Sequence, residues 1–167
     1  SGYWCDRDRQ IGLGHRRLSI VDLSPAGHQP MQSPSGRYII AFNGEIYNHT
    51  LLRQTLKVTG QAPSWRGHSD TETLLAGFEA WGIKETIDKA IGMFALAVWD
   101  RSANTLTLAR DRIGEKPLYY GWQDDTFLFG SELKGLKQHA AFKSEINRDA
   151  ITLLLRHNYI PTPYSIY

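Results

Sequence analysis

The feature that most constrains the fold is a nearly unbroken apolar run over residues 93–99, MFALAVW. A short apolar run of this kind is typical of a strand that is covered on both faces. The next segment, residues 105–109, alternates in the manner of a half-buried neighbouring strand, and residues 100–104 supply a loop between the two. Because both faces of the first strand need cover, the chain is expected to build layers around it.

The middle of the chain has the start and stop signals of two helices. Asn48 is the predicted N-cap of a segment whose apolar residues recur at helical spacing, and Gly60 is placed to end it. Ser69 and Glu72 have the spacing of a capping box, which opens a second helix that ends at Gly82. Strands are predicted at residues 11–21, 38–42, 46–47, 118–122 and 126–129, and shorter helices at residues 133–139 and 147–157. The pattern predicts an α+β domain in which sheets pack together and helices lie outside.

One short segment, Phe42-Asn43-Gly44-Glu45, supports two interpretations. Asn-Gly between apolar residues predicts a two-residue hairpin turn, because both central positions of a type I′ turn need positive φ. An asparagine amide beside a glycine N–H is also a pair of donors that could stabilise an oxyanion, if a nucleophile stood opposite. The sequence therefore predicts a turn here and leaves a catalytic role open.

Charge and hydropathy narrow the class of partner. The 167 residues include 19 Lys and Arg against 17 Asp and Glu, and the basic residues are spread out except for Arg16 and Arg17. This distribution argues against a nucleic-acid partner or an anionic membrane. No apolar run approaches the roughly 20 residues of a membrane helix, and the first residues do not have the pattern of a signal peptide. A cytoplasmic location without membrane contact is expected.

Cysteine and histidine usage limits the chemistry further. A single cysteine, Cys5, excludes an internal disulfide and any site built from several cysteines. His15, His28 and His68 stand singly and lack the spacing of metal ligands, so no metal site is predicted. Residues 110–116 lack the order of a phosphate-binding P-loop and are expected to form a turn held by ion pairs.

Six motifs follow one another in order along nearly the whole chain. They are HRRLSIVDLSPAGHQPM, FNGEIYN, SDTE, GMFALAVWD, ARDRIGEKPLYYG and FGSELKGL. In this order and spacing they resemble the glutaminase domain of glutamine-hydrolysing asparagine synthetase, a class II glutamine amidotransferase. Other class II amidotransferases share the Asn-Gly pair but lack the RLSIVD and NGEIYN segments.

The resemblance implies a fold and a reaction. The fold would be a four-layer αββα sandwich of the N-terminal-nucleophile hydrolase type. In that family an amino-terminal cysteine thiolate attacks the side-chain amide of glutamine, and its own α-amine is the general base. Ammonia leaves, a thioester forms, and water then releases glutamate. The ammonia passes to a second domain, which uses ATP to amidate aspartate.

The resemblance also implies roles for individual residues. Asn43 and Gly44 correspond to the oxyanion-hole pair. Arg17 corresponds to the arginine that holds the substrate α-carboxylate, a role that suits the two parallel N–H donors of a guanidinium. Four further residues line the glutamine pocket, largely through main-chain groups: Leu18, Ser19, Ile20 and Val21.

Glu45 and Asp70 correspond to the acidic side of the pocket, which receives the substrate α-ammonium group. Each assignment has a plainer alternative. Arg17 taken alone would be a surface cation, and Glu45 a hairpin charge. Asp70 lies in the first turn of a predicted helix, where the helix dipole favours a carboxylate by roughly 0.3 to 1 kcal/mol. The two roles of Asp70 are compatible.

The chain departs from the family pattern at its ends. Cys5 lies in a predicted loop, is followed by DRD instead of Gly-Ile, and has no free α-amine unless the chain is cut before it. The fold is therefore expected to be incomplete at the amino terminus, and the chain by itself is expected not to hydrolyse glutamine. Residues 1–158 are predicted to form the amidotransferase domain, and residues 159–167 the start of a linker to a synthetase domain.

The expected cofactors and partners follow from the same resemblance. No cofactor is expected in this domain, whereas ATP and magnesium belong to the synthetase domain of the parent chain. Glutamine is the expected small-molecule substrate, and the oligomeric state is open, with a homodimer as one alternative. Two alternatives to the asparagine synthetase function remain: an amidotransferase for another carboxylate acceptor, and a non-catalytic amino-acid-binding or structural domain of the same fold.

Overall fold

A computed structural model of the chain describes residues 2–16 and 25–167, which divide into two compact units. The first unit ends at Pro117, and the second comprises Leu118–Tyr167. The elements of the first unit are β1 (Gly2–Asp6), β2 (Ile11–His15), a short 3-10 turn (Pro25–Gly27), β3 (Met31–Gln32), β4 (Tyr38–Ile46), α1 (His49–Val58), α2 (Asp70–Trp81), α3 (Ile83–Lys89), β5 (Gly92–Asp100) and β6 (Thr105–Arg110).

An antiparallel sheet with the strand order β3-β4-β5-β6 forms the centre of the first unit. The predicted apolar strand is confirmed as β5, and the alternating segment after it as β6. All of β4 pairs with all of β5, from Tyr38 opposite Asp100 to Ile46 opposite Gly92. Seven consecutive residues at the end of β5 are buried, as expected for a strand with cover on both faces.

The helices cover one face of this sheet. Because successive side chains of a strand alternate between faces, every second residue of β4 and β5 points toward the helices. The buried cluster between sheet and helices contains Met31, Tyr38, Ile40, Phe42, Ile46, Leu52, Leu74, Leu75, Phe78, Ala90, Phe94, Leu96 and Val98. Asn43 and Glu45 belong to the other set of β4 residues, so their side chains lie on the face away from the helices.

The predicted hairpin turn at Asn43-Gly44 is wrong. β4 continues through both residues, and Asn43 pairs with Ala95 and Gly44 with Phe94. A Cβ atom on Gly44 would collide with the carbonyl oxygen of Met93 on the neighbouring strand. The glycine is therefore required because two backbones approach closely, and not because the chain reverses.

The caps of the two central helices differ from each other. The Oγ of Ser69 accepts the N–H of Glu72 at 3.2 Å, as the capping-box spacing predicts. The side chain of Asn48 does not cap α1. It donates instead to the carbonyl of Lys89 at 3.0 Å and accepts the N–H of Ile91 at 2.9 Å. Asn48 thus ties the start of α1 to the segment that leads into β5.

The turn after β6 is organised by one carboxylate. Asp111 accepts four backbone N–H groups, from Phe94 at 3.1 Å, Ile113 at 3.2 Å, Glu115 at 2.9 Å and Lys116 at 3.1 Å. Arg110 donates to the main-chain carbonyls of Gly114 and Lys116. The prediction of a turn held by ion pairs is therefore wrong, because side-chain to backbone hydrogen bonds hold it.

β1 and β2 form a separate two-stranded hairpin. Cys5 lies within β1, opposite Gly12, and is exposed, so its predicted position in a loop is wrong. The strand predicted over residues 11–21 ends at His15 in β2, and residues 17–21 lie outside the described part of the chain.

The second unit consists of β7 (Tyr119–Gln123), β8 (Thr126–Gly130), α4 (Leu133–Leu136) and α5 (Arg148–His157). The two strands pair antiparallel, as the sequence predicts. The side chain of Asn147 caps α5 by accepting the N–H groups of Asp149 and Ala150. Among the described residues of the whole chain, no helix has the length and apolarity needed to cross a membrane.

Candidate functional site

One edge of β4 extends well beyond its neighbour β3, which pairs with only two of its residues. In an antiparallel strand the N–H groups of successive residues point alternately to the two sides. The N–H of Tyr47 donates to the carbonyl of Ile91 on the β5 side at 2.8 Å. The even-numbered residues Phe42, Gly44 and Ile46 consequently present their N–H groups at the opposite edge.

Side chains accept hydrogen bonds from two of these three N–H groups. The N–H of Phe42 donates to the Oε1 of Gln29 at 2.7 Å, and the N–H of Ile46 donates to the Oδ2 of Asp70 at 2.9 Å. The N–H of Gly44 has no acceptor among the described residues. Successive donors on one edge are two residues, or roughly 7 Å, apart. One backbone donor between two satisfied ones is therefore left to bond a ligand.

The register of β5 explains why the N–H of Gly44 makes no hydrogen bond to that strand. Phe94, which lies opposite Gly44, turns both its backbone groups toward β6. Its N–H donates to the Oδ2 of Asp111 at 3.1 Å, and its carbonyl accepts the N–H of Asp111 at 2.8 Å. Gly44 and Phe94 are thus a non-hydrogen-bonded pair, in which neither residue satisfies the other.

Asn43 places a second donor next to the N–H of Gly44. Its side chain is half-buried on the face of β4 away from the helices, and Glu45 follows on that same face. The side-chain amide stands off the sheet, whereas the N–H of Gly44 lies in the plane of the sheet. Two donors that approach from different directions suit a single tetrahedral oxygen.

Asp70 carries a buried charge at the same edge. It is the first residue of α2 and only 5% exposed. Its Oδ1 accepts the N–H of Thr71 at 2.8 Å, while its Oδ2 accepts the N–H of Ile46. No lysine, arginine or histidine pairs with it among the described residues. Because buried carboxylates normally need a cation, Asp70 is suited to a positively charged group from a ligand.

The structure brings three of the predicted site residues together. Asn43 and Gly44 are adjacent, and Asp70 bonds to Ile46, two residues from Gly44. Glu45 is half-buried within the same segment, on the face that Asn43 shares. Arg17 and the four residues predicted to line the pocket lie outside the described residues: Leu18, Ser19, Ile20 and Val21.

Gln29 is a component of this edge that the sequence analysis missed. Besides accepting the N–H of Phe42, its Nε2 donates to the Oγ1 of Thr71 at 3.3 Å, and the side chain is buried. The signal that could have found it is Pro30, which has no N–H and so cannot extend the ladder of β3. The side chain of Gln29 therefore accepts the N–H of Phe42, a hydrogen bond that a longer β3 would accept through its backbone.

Comparison with known proteins identifies a family that spans the whole chain. The family described as glutamine amidotransferase domain matches residues 1–167. Asparagine synthetase [glutamine-hydrolyzing] 1 of Bacillus subtilis is 38% identical over 99% of this chain and 25% of its own length. Asparagine synthetase [glutamine-hydrolyzing] 3 of the same organism is 38% identical over 87% of this chain and 23% of its own length. The chain thus spans about a quarter of the length of these curated relatives.

A solved structure shares the fold. The glutamine phosphoribosylpyrophosphate amidotransferase from B. subtilis, complexed with ADP and GMP, superimposes with a TM-score of 0.62. The superposition covers 74% of this chain and 28% of the other, at 25% sequence identity. This likeness confirms the predicted α+β class and the N-terminal-nucleophile hydrolase type of fold.

Proposed function

Because the chain belongs to the glutamine amidotransferase domain family, we propose that it forms the glutamine site of a glutamine-hydrolysing asparagine synthetase. The site cleaves the side-chain amide of glutamine to glutamate and ammonia, and the ammonia amidates aspartate at the expense of ATP. The observation that carries the proposal is the N–H of Gly44, which lies beside Asn43 and close to the buried carboxylate of Asp70. Among the residues that the structure describes, this N–H has no acceptor and this carboxylate has no cationic partner.

Asn43 and Gly44 supply the oxyanion hole in this proposal. When a thiolate attacks the amide carbon of glutamine, negative charge develops on the amide oxygen, and the two donors bond to that oxygen. Both are fixed on a strand that pairs with β5 along its whole length, so they need little reorganisation. Each donor of this kind contributes about 3 kcal/mol to the stability of the transition state.

Two opposite charges recognise the amino-acid end of the substrate. Asp70 receives the α-ammonium group, and Glu45 adds negative potential beside it. Arg17 bonds the α-carboxylate through its two parallel N–H donors, and residues 18–21 line the pocket through main-chain groups. The nucleophile is an amino-terminal cysteine, a role not assigned to Cys5, which is exposed in the middle of β1.

A larger parent protein completes the reaction. Relatives that are 38% identical to this chain are about four times as long, since the chain covers 25% of one of them. We infer a synthetase domain as the partner of this domain, with ATP and magnesium bound there and with residues 159–167 as the start of the connection. The proposed location of the parent enzyme is the cytoplasm.

Glutamate release by the natural protein that contains this chain tests the proposal. Asn43→Ala is expected to lower kcat about 10²–10³-fold and to change KM little, because the amide acts on the transition state. Asn48→Ala is the matched control. Its side chain bonds to Lys89 and Ile91, so this variant should lose stability and keep kcat within about twofold of wild type.

The possible outcomes separate the alternatives. Full kcat in Asn43→Ala would contradict the oxyanion role of this residue. Glutamine binding without glutamate release by the natural protein would favour the non-catalytic alternative. Glutamate release that depends on a carboxylate other than aspartate would favour an amidotransferase with a different acceptor.

A further inference from the structure

One partly buried arginine fixes the loop that brings Asp70 to the sheet edge. Arg53 lies on α1, and its side chain is only 15% exposed. Its guanidinium donates to the Oγ1 of Thr73 at 2.7 Å, to the carbonyls of Gly67 and Ser69 at 2.9 Å each, and to the Oε2 of Glu72 at 3.2 Å. Every one of these acceptors lies within three residues of Asp70 in the chain. The guanidinium therefore holds the segment on both sides of Asp70.

Aromatic stacking holds Arg53 itself in place. Its Cζ lies 4.0 Å from the centre of the Trp65 ring. A cation in this position is attracted to the negative face of the indole. This contact adds to the hydrogen bonds that hold the guanidinium against the loop.

Glu72 closes the same loop from the helix. Its side chain is 4% exposed, and its two oxygens accept the N–H groups of Arg66 at 2.7 Å and Gly67 at 3.1 Å. The carboxylate of Glu72 also pairs with two guanidinium groups, that of Arg53 at 3.2 Å and that of Arg66 at 3.7 Å. Neither guanidinium pairs with Asp70, which has no cationic partner among the described residues.

We propose that Arg53 is the positioning residue for Asp70, and through it for the α-ammonium group of the amino-acid substrate. This inference rests on the proposed function. A planar guanidinium can hold two carbonyls, a hydroxyl and a carboxylate at once, whereas the single ammonium of lysine cannot reproduce that arrangement. When the loop loosens, Asp70 moves relative to the ligand, and recognition of the ammonium group weakens selectively.

Calorimetric titration of the natural protein that contains this chain tests this role with two ligands. Its amino-terminal cysteine nucleophile is changed to alanine so that glutamine is bound and not consumed. The ligands are L-glutamine and its analogue without the α-amino group, and the readout is the Kd of the analogue divided by the Kd of L-glutamine. Arg53→Lys is expected to reduce this ratio about tenfold, the effect of weakening one hydrogen bond between charged groups. The affinity for the analogue should stay within about twofold of wild type, because the analogue makes no ammonium contact.

Arg37→Lys is the matched control. Arg37 makes a bidentate ion pair with Asp100, at 2.7 and 3.0 Å, at the opposite end of β4. The control should lose stability in the same way but retain the wild-type Kd ratio. A purely structural role of Arg53 would likewise leave the ratio unchanged.

A second variant keeps the test decisive if Arg53→Lys does not fold. Thr73→Val removes one acceptor of Arg53, preserves the side-chain shape, and should reduce the ratio in the same direction. An unchanged ratio in a folded variant overturns the positioning role and leaves the proposed function standing. A natural protein that carries the wild-type Arg53 and binds both ligands equally, or neither, overturns the proposed function and this inference together.

Discussion

At Asp111 a single carboxylate fixes both a turn and the neighbouring strand β5. Burial raises the pKa of this carboxyl, but the N–H groups of Glu115, Lys116 and Phe94 outweigh burial and lower the pKa to about 2. Since the pKa in the folded chain lies below the ordinary value of 3.8, the ionised form stabilises the fold. This contribution is complete above about pH 4 and is lost as the pH falls toward 2.

Asp111→Asn should lower the free energy of unfolding by about 2 kcal/mol at neutral pH. The new amide nitrogen faces backbone N–H groups and cannot accept a hydrogen bond from them. The difference from wild type should shrink between about pH 4 and pH 2. Urea unfolding across this range measures both effects. Asp8→Asn changes an exposed carboxylate and serves as the control. A difference that stays constant with pH would contradict the role of the ionised form.

The two site residues on β4 could be identified from the sequence, but their conformation could not. Asn-Gly was expected to form a turn because glycine tolerates positive φ. Glycine is equally necessary where another backbone comes close, and Met93 makes that approach from a strand far along the chain. The residue type is the same in both cases, so local sequence cannot distinguish them. The catalytic role of Asn43 and Gly44 remains a prediction.

The short length of β3 shapes the candidate site at the level of whole elements. β3 begins at Met31, directly after Pro30, so the edge of β4 beyond this point has no backbone partner within residues 2–16 and 25–167. Gln29 from the segment before β3 and Asp70 from α2 accept the flanking donors. Edges of this kind are otherwise prone to pair with other chains. Two side chains thus protect the edge, and within the described part of the chain the N–H of Gly44 is the donor that they leave unbonded.

Gln29→Met tests this edge. The variant should lower the free energy of unfolding by about 2 kcal/mol, because the buried N–H of Phe42 loses its acceptor while the side-chain volume is nearly kept. Gln32→Met is the matched control, since Gln32 is exposed and makes only a 3.5 Å bond to a carbonyl. Its effect should stay within about 0.5 kcal/mol in the same urea unfolding measurement. Equal losses in the two variants would count against side-chain protection of the edge.

Helix ends that depend on local signals could be predicted from the sequence, whereas an end that depends on long-range contacts could not. Ser69 caps α2 and Gly82 ends it, as expected, because both signals act within one turn of the helix. α3 begins directly after Gly82 without a side-chain cap, and no prediction was made for it. The expected cap at Asn48 failed because its side chain finds partners at Lys89 and Ile91, which only the folded chain brings near.

Burial differs sharply between the two units of the whole molecule. The described part of the first unit contains the large apolar cluster beneath the helices. Across Leu118–Tyr167, all of which the structure describes, Ala150 is the one buried residue, and Trp122 and Leu155 are 68% and 79% exposed. The periodicity of the sequence predicts the α+β class. It does not predict the difference in burial between the two units, because burial depends on which distant segments of the chain meet.

The two antiparallel strand pairs β4-β5 and β7-β8 therefore provide an internal comparison of local stability. Both have hydrogen-bonded ladders, but they differ in apolar burial. Hydrogen exchange of the 167-residue chain, followed by mass spectrometry, should show at least about tenfold slower exchange in β4-β5 after correction for intrinsic rates. The core pair opens only with the buried cluster, whereas β7-β8 can open with little loss of apolar contact. Equal protection of the two pairs would mean that hydrogen bonding, and not apolar burial, sets local stability in this chain.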